Sequence, residues 1–497
     1  MRFALFVVFL FALLNPLRAD TDSVQTSSAQ ALFDGWEKPK VLLVFTGSLN
    51  GYAEPCGCAG LENMKGGLSR RHTFFLELKK KNWDVLAIDA GNLNKGSGKQ
   101  EELKYNFVID EAYRQMKYGA AGIGNNELLF STETLVLYSV DTPGVTKRYT
   151  SANAAVLAFS PDFIPPYRIL EKNGMKFGVV SVLGKSLTAE FQKDDTPNSD
   201  IKTADAAAKL KEVLQNPDYE KCNKKVLTVF GSKDEIENII KEFAGKFDFI
   251  LPGNTPAEPP LEAKTAGQSV IIETGEKGRF AVAVGLYDSE KMPMRYERIP
   301  FDSRFKSSET VTKLMRLYQE QLERTGLPGL GIRPIPDSRT ATLGAFTGAA
   351  KCADCHEKSF AVWKKSKHHQ AWESLNAAVP PRQFDPECIG CHVTGWNTRQ
   401  LLPYQHGFLS AKQTPQLVSV GCESCHGQGE KHIAAESGSN KTLQEKLRRL
   451  IRLPLDGDAA KQHCITCHDG DNSPQFDFGK YWKKIEHKED STKENPE

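Results

Sequence analysis

The feature that most constrains this chain is a five-residue pattern, Cys-x-x-Cys-His, which occurs four times between residues 352 and 468. This pattern is the attachment signal for c-type haem, in which two thiols bind one porphyrin and the adjacent histidine supplies the proximal iron ligand. Its members are Cys352, Cys355 and His356; Cys388, Cys391 and His392; Cys422, Cys425 and His426; and Cys464, Cys467 and His468. Paired Cys-x-x-Cys units also form zinc sites, but zinc does not require a histidine after every second cysteine. The pattern therefore predicts four covalently bound haem c groups.

Histidine usage supports this prediction. The chain has 11 histidines, and all except His72 lie at or after position 356. A low-spin haem needs a second axial ligand, often His or Met. Six histidines outside the motifs are candidates for that role: His368, His369, His406, His432, His463 and His487.

The same region resembles the tetrahaem cytochromes c of the cytochrome c-554 type. The matching segments are residues 351–356, 363–368, 388–396, 421–427 and 464–487. The resemblance implies that His368, His432 and His487 are distal ligands. One haem is then left without an obvious second ligand. Its iron is either five-coordinate, as one haem is in that family, or takes His369, His406 or His463.

The N-terminal residues indicate export. They have the features of a signal peptide: a positive charge at Arg2, an apolar run at 3–14 and a cleavage site after Ala19. The run is short for a membrane span, which takes about 20 residues, although an uncleaved anchor is an alternative. Because covalent haem attachment takes place outside the bacterial cytoplasm, we expect a periplasmic protein with periplasmic redox partners. A net charge of +2 gives no indication of nucleic-acid binding.

The 497 residues are too many for one ordinary domain. Short apolar runs such as 41–45, 85–88 and 280–286 alternate with helical patterns, which predicts an α/β layered domain. We expect a signal peptide at 1–19, a flexible segment at 20–38, the α/β domain at 39–300, a linker with one helix at 301–346, a mainly α, loop-rich haem domain at 347–487 and a charged tail at 488–497. Ser307 and Ser308 should cap the linker helix.

The α/β domain resembles the 5′-nucleotidase-like metallophosphoesterases. Residues 46–51, 89–92, 124–127 and 253–256 stand where that family has its metal-binding segments, and 275–286 matches its closing strand. The ligand types, however, are missing. Ser48, Asn50, Asn92, Asn254 and Pro256 replace the Asp and His ligands, and Asn126 replaces the His that would protonate a leaving group; Asn125 is the one potential ligand that survives. Neutral amides bind divalent cations poorly, so we expect this fold without its two-metal site.

Three cysteines lie outside the haem motifs. Cys56 and Cys58 form a Cys-Gly-Cys segment after the first strand, at the sheet edge where α/β domains bind ligands. This segment could bind a soft metal, form a strained disulfide or meet a redox partner, or be a disulfide or buried thiol pair of structural importance only. Cys222 and His72 are expected to be structural.

These features favour a periplasmic tetrahaem cytochrome that transfers electrons, fused to an inactive phosphoesterase-like domain. One alternative is a redox enzyme acting on a small nitrogen or sulfur species at an open haem iron. Another is a phosphoester hydrolase controlled by haem redox state.

Overall fold

The structure is a computed structural model that describes residues 32–55, 64–141, 147–192, 200–453 and 458–487. The chain divides into two compact units, which end at Glu37 and Glu497. In the first unit, residues 32–37 form a turn in which the Phe33 and Trp36 rings lie 5.1 Å apart. The second unit contains everything described below. The predicted signal peptide, the segment at 20–31, the Cys56–Cys58 segment and the tail lie outside the described residues.

Strands occupy much of the first half of the second unit. They are β1 (Val41–Thr46), β2 (Val85–Asp89), β3 (Tyr118–Gly122), β4 (Tyr149–Thr150), β5 (Ala154–Val156), β6 (Tyr167–Lys172), β7 (Met175–Leu183), β8 (Ile201–Thr203), β9 (Lys224–Phe230), β10 (Phe249–Pro252), β11 (Lys264–Ala266), β12 (Ser269–Ile271), β13 (Phe280–Leu286), β14 (Met294–Pro300), β15 (Trp396–Asn397) and β16 (Leu402–Pro403).

Two six-stranded sheets form the α/β domain. The first has the order β14-β13-β1-β2-β3-β4 and the second β11-β12-β10-β9-β7-β6. In the first sheet β1 to β4 run parallel, while β13 pairs antiparallel with β1. β1 is buried along its whole length because it lies between two strands and its Phe45 ring meets Phe249 of the second sheet at 5.5 Å. The sheets therefore pack face to face, as predicted for an α/β layered domain.

Helices cover the outer faces and make up most of the C-terminal region. They are α1 (Leu68–Lys80), α2 (Lys99–Lys104), α3 (Asp110–Gln115), α4 (Thr132–Ser139), α5 (Lys185–Thr188), α6 (Ala206–Leu214), α7 (Pro217–Glu220), α8 (Lys233–Phe243), α9 (Glu309–Gly329), α10 (Thr340–Leu343), α11 (Ala350–Ala353), α12 (Glu357–Lys365), α13 (Ala371–Ala377), α14 (Pro386–His392), α15 (Cys422–His426), α16 (Glu430–Glu436), α17 (Lys441–Ile451), α18 (Asp458–Cys464) and α19 (Phe478–Trp482). A π-helical turn, Tyr105–Ile109, joins α2 to α3.

The predicted linker carries α9, which packs on the α/β domain. Val311, Met315, Tyr318 and Leu322 are buried, as expected for an amphipathic helix. Ser308 occupies the predicted N-cap position, but its hydroxyl makes no capping bond. It bonds instead to Nδ1 of His72 at 2.7 Å, which ties α9 to α1. A second, one-turn helix (α10) follows in the same segment.

The described residues from 340 onward form a mainly α, loop-rich region, which is the fold class predicted for 347–487. Its helices are short, and its apolar core is small; the buried members are Phe346, Leu375, Ile389, Val393, Trp396, Phe408 and Leu417. No helix within the described parts of the chain is both long and apolar enough to cross a bilayer.

Candidate haem sites and the degenerate metal centre

Each Cys-x-x-Cys-His motif folds as a single helical turn. In the first and fourth motifs the amide N–H of the histidine donates to the carbonyl of the first cysteine, at 2.9 Å in both His356 and His468. One turn places residues three and four apart on one face, so the two thiols and the imidazole of a motif share a side. We call these motifs sites 1 to 4 in chain order.

Three motif histidines each face a histidine from outside the motifs. His356 lies opposite His432, with ring centroids 6.3 Å apart. His426 lies opposite His487 at 5.8 Å, and His368 lies opposite the fourth-motif histidine at 6.1 Å. Two imidazoles that each bind one metal ion through bonds of about 2 Å have ring centroids about 6 Å apart. The residues therefore fit an iron with two axial histidines at sites 1, 3 and 4.

The motif histidines also have partners for their second ring nitrogen. Nδ1 of His392 lies 2.7 Å from the Ala371 carbonyl, and Nδ1 of His426 lies 2.8 Å from the Ile451 carbonyl. A carbonyl can only accept, so these nitrogens donate and leave Nε2 as the metal-binding atom. Burial lowers the pKa of both histidines, which favours the neutral ring that binds metals.

The four sites lie in two adjoining pairs. The sulfur atom of Cys352 lies beside that of Cys422, so sites 1 and 3 are neighbours. The sulfur atom of Cys467 likewise lies beside that of Cys391, so sites 2 and 4 are neighbours. Within each pair, the two porphyrins would therefore be attached at neighbouring sulfur atoms.

The other three candidate histidines have different surroundings. Nε2 of His463 lies 2.9 Å from the Ser424 carbonyl. The ring of His369 meets Trp363 edge-on at 4.6 Å, and His406 is exposed. The three histidines predicted as distal ligands lie opposite the motif histidines of sites 1, 3 and 4.

Sequence reasoning did not identify Glu423, which braces sites 1 and 3. It occupies a variable position of the third motif and is 4% exposed. Its carboxylate accepts N–H bonds from Thr347 (2.9 Å), Gly348 (2.7 Å) and Gly429 (2.8 Å). The chain that enters site 1 is therefore fastened to site 3. No pattern in the sequence marks this residue, because its partners are backbone groups.

The degenerate metal segments do converge at one edge of the first sheet, where their amides bond to one another. The Asn92 side chain donates to Asn125 Oδ1 at 3.1 Å and accepts the Asn126 N–H at 3.0 Å. Nδ2 of Asn126 donates to Asn50 Oδ1 at 3.4 Å. Ser48 donates to the Gly253 carbonyl at 3.1 Å. At the positions where the family resemblance predicts metal ligands, these side-chain amides are therefore hydrogen bonded to one another.

Two ionisable side chains near this edge, Glu127 and Arg71, were given no role of their own by the sequence. Glu127 is buried and accepts N–H bonds from Asn92 at 3.1 Å and Gly124 at 2.8 Å. Burial raises the pKa of Glu127 to about 7. Arg71 is also buried, and its guanidinium donates to the Tyr113 hydroxyl at 2.7 Å. Across the described residues, no three Cys, His, Asp or Glu side chains converge as metal ligands.

Comparison with known proteins separates the chain into two regions. Residues 351–427 match the family described as "Cytochrome c554 and c-prime". The chain is 29% identical over 140 residues to cytochrome c-554 of Nitrosomonas europaea, and 22% identical over 255 residues to 5′-nucleotidase of Rattus norvegicus. The chain is thus similar to cytochrome c-554 in its C-terminal region and to 5′-nucleotidase over a separate region. The matches span 57% of the first relative and 43% of the second, and 25% and 50% of this chain.

Among solved structures, a Thermus thermophilus sulfate thiohydrolase, SoxB, in complex with glycerol is similar to 58% of this chain and 62% of its own. The TM-score is 0.48 and the identity 13%.

The cytochrome c-554-like region implies covalently bound haem c, in agreement with the fit of the histidine pairs. Cys222 is buried, and burial raises the pKa of its thiol. That position, like the bond of His72 to Ser308, agrees with a structural role.

Proposed function

We propose that this chain is a periplasmic electron-transfer protein that carries four haem c groups, one at each site. The observation that carries the proposal is the set of three facing histidine pairs, each joining a motif histidine to one outside the motifs. When bound, haem c supplies a one-electron iron couple whose potential depends on its axial ligands and surroundings.

The chain's own residues have distinct roles in this proposal. The motif cysteines hold the porphyrins through thioether bonds, and the motif histidines are proximal ligands. His432, His487 and His368 are the distal ligands of sites 1, 3 and 4. The carbonyls of Ala371 and Ile451 orient two proximal rings by accepting their Nδ1 protons. The pairing of sites 1 with 3 and 2 with 4 suits exchange of electrons between neighbouring sites, and a periplasmic redox protein would be the external partner.

The phosphoesterase-like domain is proposed to be inactive as a hydrolase. Two-metal hydrolysis needs ligands that hold two cations, which lower the pKa of a bound water and clamp the phosphoryl oxygens. Asn50, Asn92 and Asn126 offer neutral amides that are already bonded to one another or to neighbouring residues. Asn126 also cannot act as a general acid near neutral pH.

An anaerobic reductive titration of the purified, haem-loaded chain tests the electron-transfer proposal. The chain should take up four electrons reversibly, with spectra of low-spin c-type haem, and reoxidise without consuming a nitrogen or sulfur substrate. Steady turnover of a small nitrogen or sulfur compound, together with carbon monoxide binding at one iron, would favour the redox-enzyme alternative instead.

A separate assay tests the loss of hydrolase activity. The full chain is incubated with Mn²⁺ or Zn²⁺ and with nucleotides and bis-phosphate esters, in the oxidised and the reduced state. We expect no phosphate release and no stoichiometric metal beyond iron. Turnover in one redox state only would support the redox-controlled hydrolase.

A further inference from the structure

Side chains of the α/β domain form hydrogen bonds and ion pairs with a loop of the haem region. Asp471 follows the fourth motif, and its carboxylate accepts from Arg279 Nη2 at 2.6 Å and from the Tyr52 hydroxyl at 2.9 Å. The Lys277 ammonium contacts the same carboxylate and lies 4.7 Å from the centre of the Tyr52 ring. The Asp471 side chain is 24% exposed. Three donors from one domain thus converge on a single carboxylate of the other.

The backbone segments that carry the three donors are held by hydrogen bonds and by their place beside a strand. The Lys277 N–H donates to the Ser48 carbonyl at 2.8 Å, and the Tyr52 N–H donates to the Leu49 carbonyl at 3.0 Å. Arg279 immediately precedes β13, which pairs with β1. The donors therefore lie at the edge of the first sheet, beside the degenerate metal segments.

A short path of hydrogen bonds connects Asp471 to the proximal histidine of site 4. The Asp469 side chain accepts the Asp471 N–H at 2.9 Å, and its carbonyl accepts the Ser473 N–H at 2.8 Å. The Ser473 hydroxyl in turn lies 2.9 Å from Nδ1 of His468. Movement of Asp471 would therefore alter the partner that orients this ring.

Site 2 is held by the α/β domain and its linker helix in the same way. Glu387, next to Cys388, accepts from the Lys104 ammonium at 2.8 Å, and the Lys104 side chain is 3% exposed. Asp385 caps α14, the helix of the second motif. It also accepts from Gln100 at 3.1 Å and from Gln319 at 3.0 Å.

The two sites held in this way are an adjoining pair, since the sulfur atoms of Cys391 and Cys467 lie side by side. Sites 1 and 3 are instead braced within the haem region by Glu423. The α/β domain thus contributes contacts at sites 2 and 4, whereas the Glu423 contacts at sites 1 and 3 lie within the haem region.

We propose that the α/β domain positions sites 2 and 4. Tyr52, Lys277 and Arg279 are positioning residues for site 4 through Asp471, and Lys104 is a positioning residue for site 2 through Glu387. This inference rests on the proposed function, because it assigns the fused domain a part in arranging the electron-transfer sites. The edge that carries metal ligands in the related enzymes here carries the contacts that hold a haem loop.

The test uses the full, haem-loaded chain and the Asp471→Asn variant, with Glu242→Gln as the matched control. Glu242 pairs with Lys211 at 2.7 Å on the exposed surface of the α/β domain, so the control also removes one paired carboxylate. Hydrogen exchange of the amides at 469–476 should be at least about fivefold faster in Asp471→Asn, because bonds to a charged acceptor are weakened. The paramagnetic resonance signal of the haem at site 4 should shift while those of sites 1 and 3 do not. The control should change neither readout.

Two further variants separate positioning from charge. Asp471→Glu keeps the charge and should restore part of the exchange protection. Arg279→Gln removes a cation, so it should lower the midpoint potential of the site 4 haem, whereas Asp471→Asn should raise it, since reduction adds negative charge. Wild-type exchange rates and an unshifted site 4 signal in Asp471→Asn would overturn the inference, as would equal shifts at all four sites. A wild-type chain with fewer than four haems would contradict the proposed function instead.

Discussion

Glu423→Gln is predicted to loosen the connection between sites 1 and 3. In the native chain one carboxylate oxygen accepts from Gly429 and Thr347, and the other accepts from Gly348 at 2.7 Å and from the same Thr347 N–H at 3.0 Å. An amide keeps one acceptor oxygen and replaces the other with a donor. Whichever way it turns, an NH₂ group then faces a backbone N–H.

The size of the effect follows from these contacts. A hydrogen bond to a charged group contributes about 1.5 to 3 kcal/mol, and a buried donor left without an acceptor costs about 1 to 3 kcal/mol. If the amide faces Gly348, one such bond is lost and the remaining bonds change to a neutral acceptor. We expect a loss of about 3 kcal/mol, which corresponds to roughly a hundredfold change in a local opening equilibrium.

Native-state hydrogen exchange measures this opening at the amides of Thr347, Gly348 and Gly429. Glu430→Gln is the matched control, because Glu430 is exposed and its carboxylate accepts the Ala345 N–H at 2.8 Å. The control should accelerate exchange by no more than about fivefold, in line with an exposed hydrogen bond of about 1 kcal/mol. Equal acceleration in the two variants would refute the reasoning, because the brace would then contribute no more than an ordinary surface contact.

Further predictions concern the haem ligands, the buried acid and the degenerate centre. Replacing His368, His432 or His487 with Gly should each alter one low-spin signal in paramagnetic resonance while four haems stay attached; an unchanged spectrum would disprove that ligand. Because burial raises the pKa of Glu127 from 4.5 to about 7, the folded state holds a proton that the unfolded state has released. The contribution of Glu127 to stability should therefore fall by about 3 kcal/mol as pH rises from about 4.5 to 7, and Glu127→Gln should flatten that part of the pH–stability curve; an unchanged curve would contradict the shift. Asn92→Asp alone should leave the chain without stoichiometric Mn²⁺ or Zn²⁺ by metal analysis, because the remaining amides cannot hold two ions.

The sequence predicted the parts of the fold that depend on apolar runs. β13 has the predicted bounds, because a continuous run of apolar residues lies in a strand that is buried along its whole length. β3 was missed, because its sequence, Tyr-Gly-Ala-Ala-Gly, has low strand propensity. It is a strand because the sheets approach closely there: a Cβ on Gly122 would lie 2.3 Å from the hydroxyl oxygen of Thr228 on β9 of the second sheet. Tertiary packing, and not strand propensity, therefore accounts for the formation of β3.

At the sites, local chemistry was predictable and tertiary pairing was not. The motifs identify the attachment residues, since spacing within one helical turn is a local property. The histidines that face one another are brought together by the fold, and only a family resemblance indicated which ones to expect. Asp471 and Lys104 looked like ordinary surface charges in the sequence, because their significance lies in the domain contact that buries them.

The haem content of the purified chain tests the central claim most directly. A pyridine haemochrome assay, set against protein concentration and total iron and zinc, should give four haem c groups per chain and no stoichiometric zinc. A ratio near two, or zinc in place of iron at the Cys-x-x-Cys-His motifs, would contradict the proposal that this chain carries electrons on four haems.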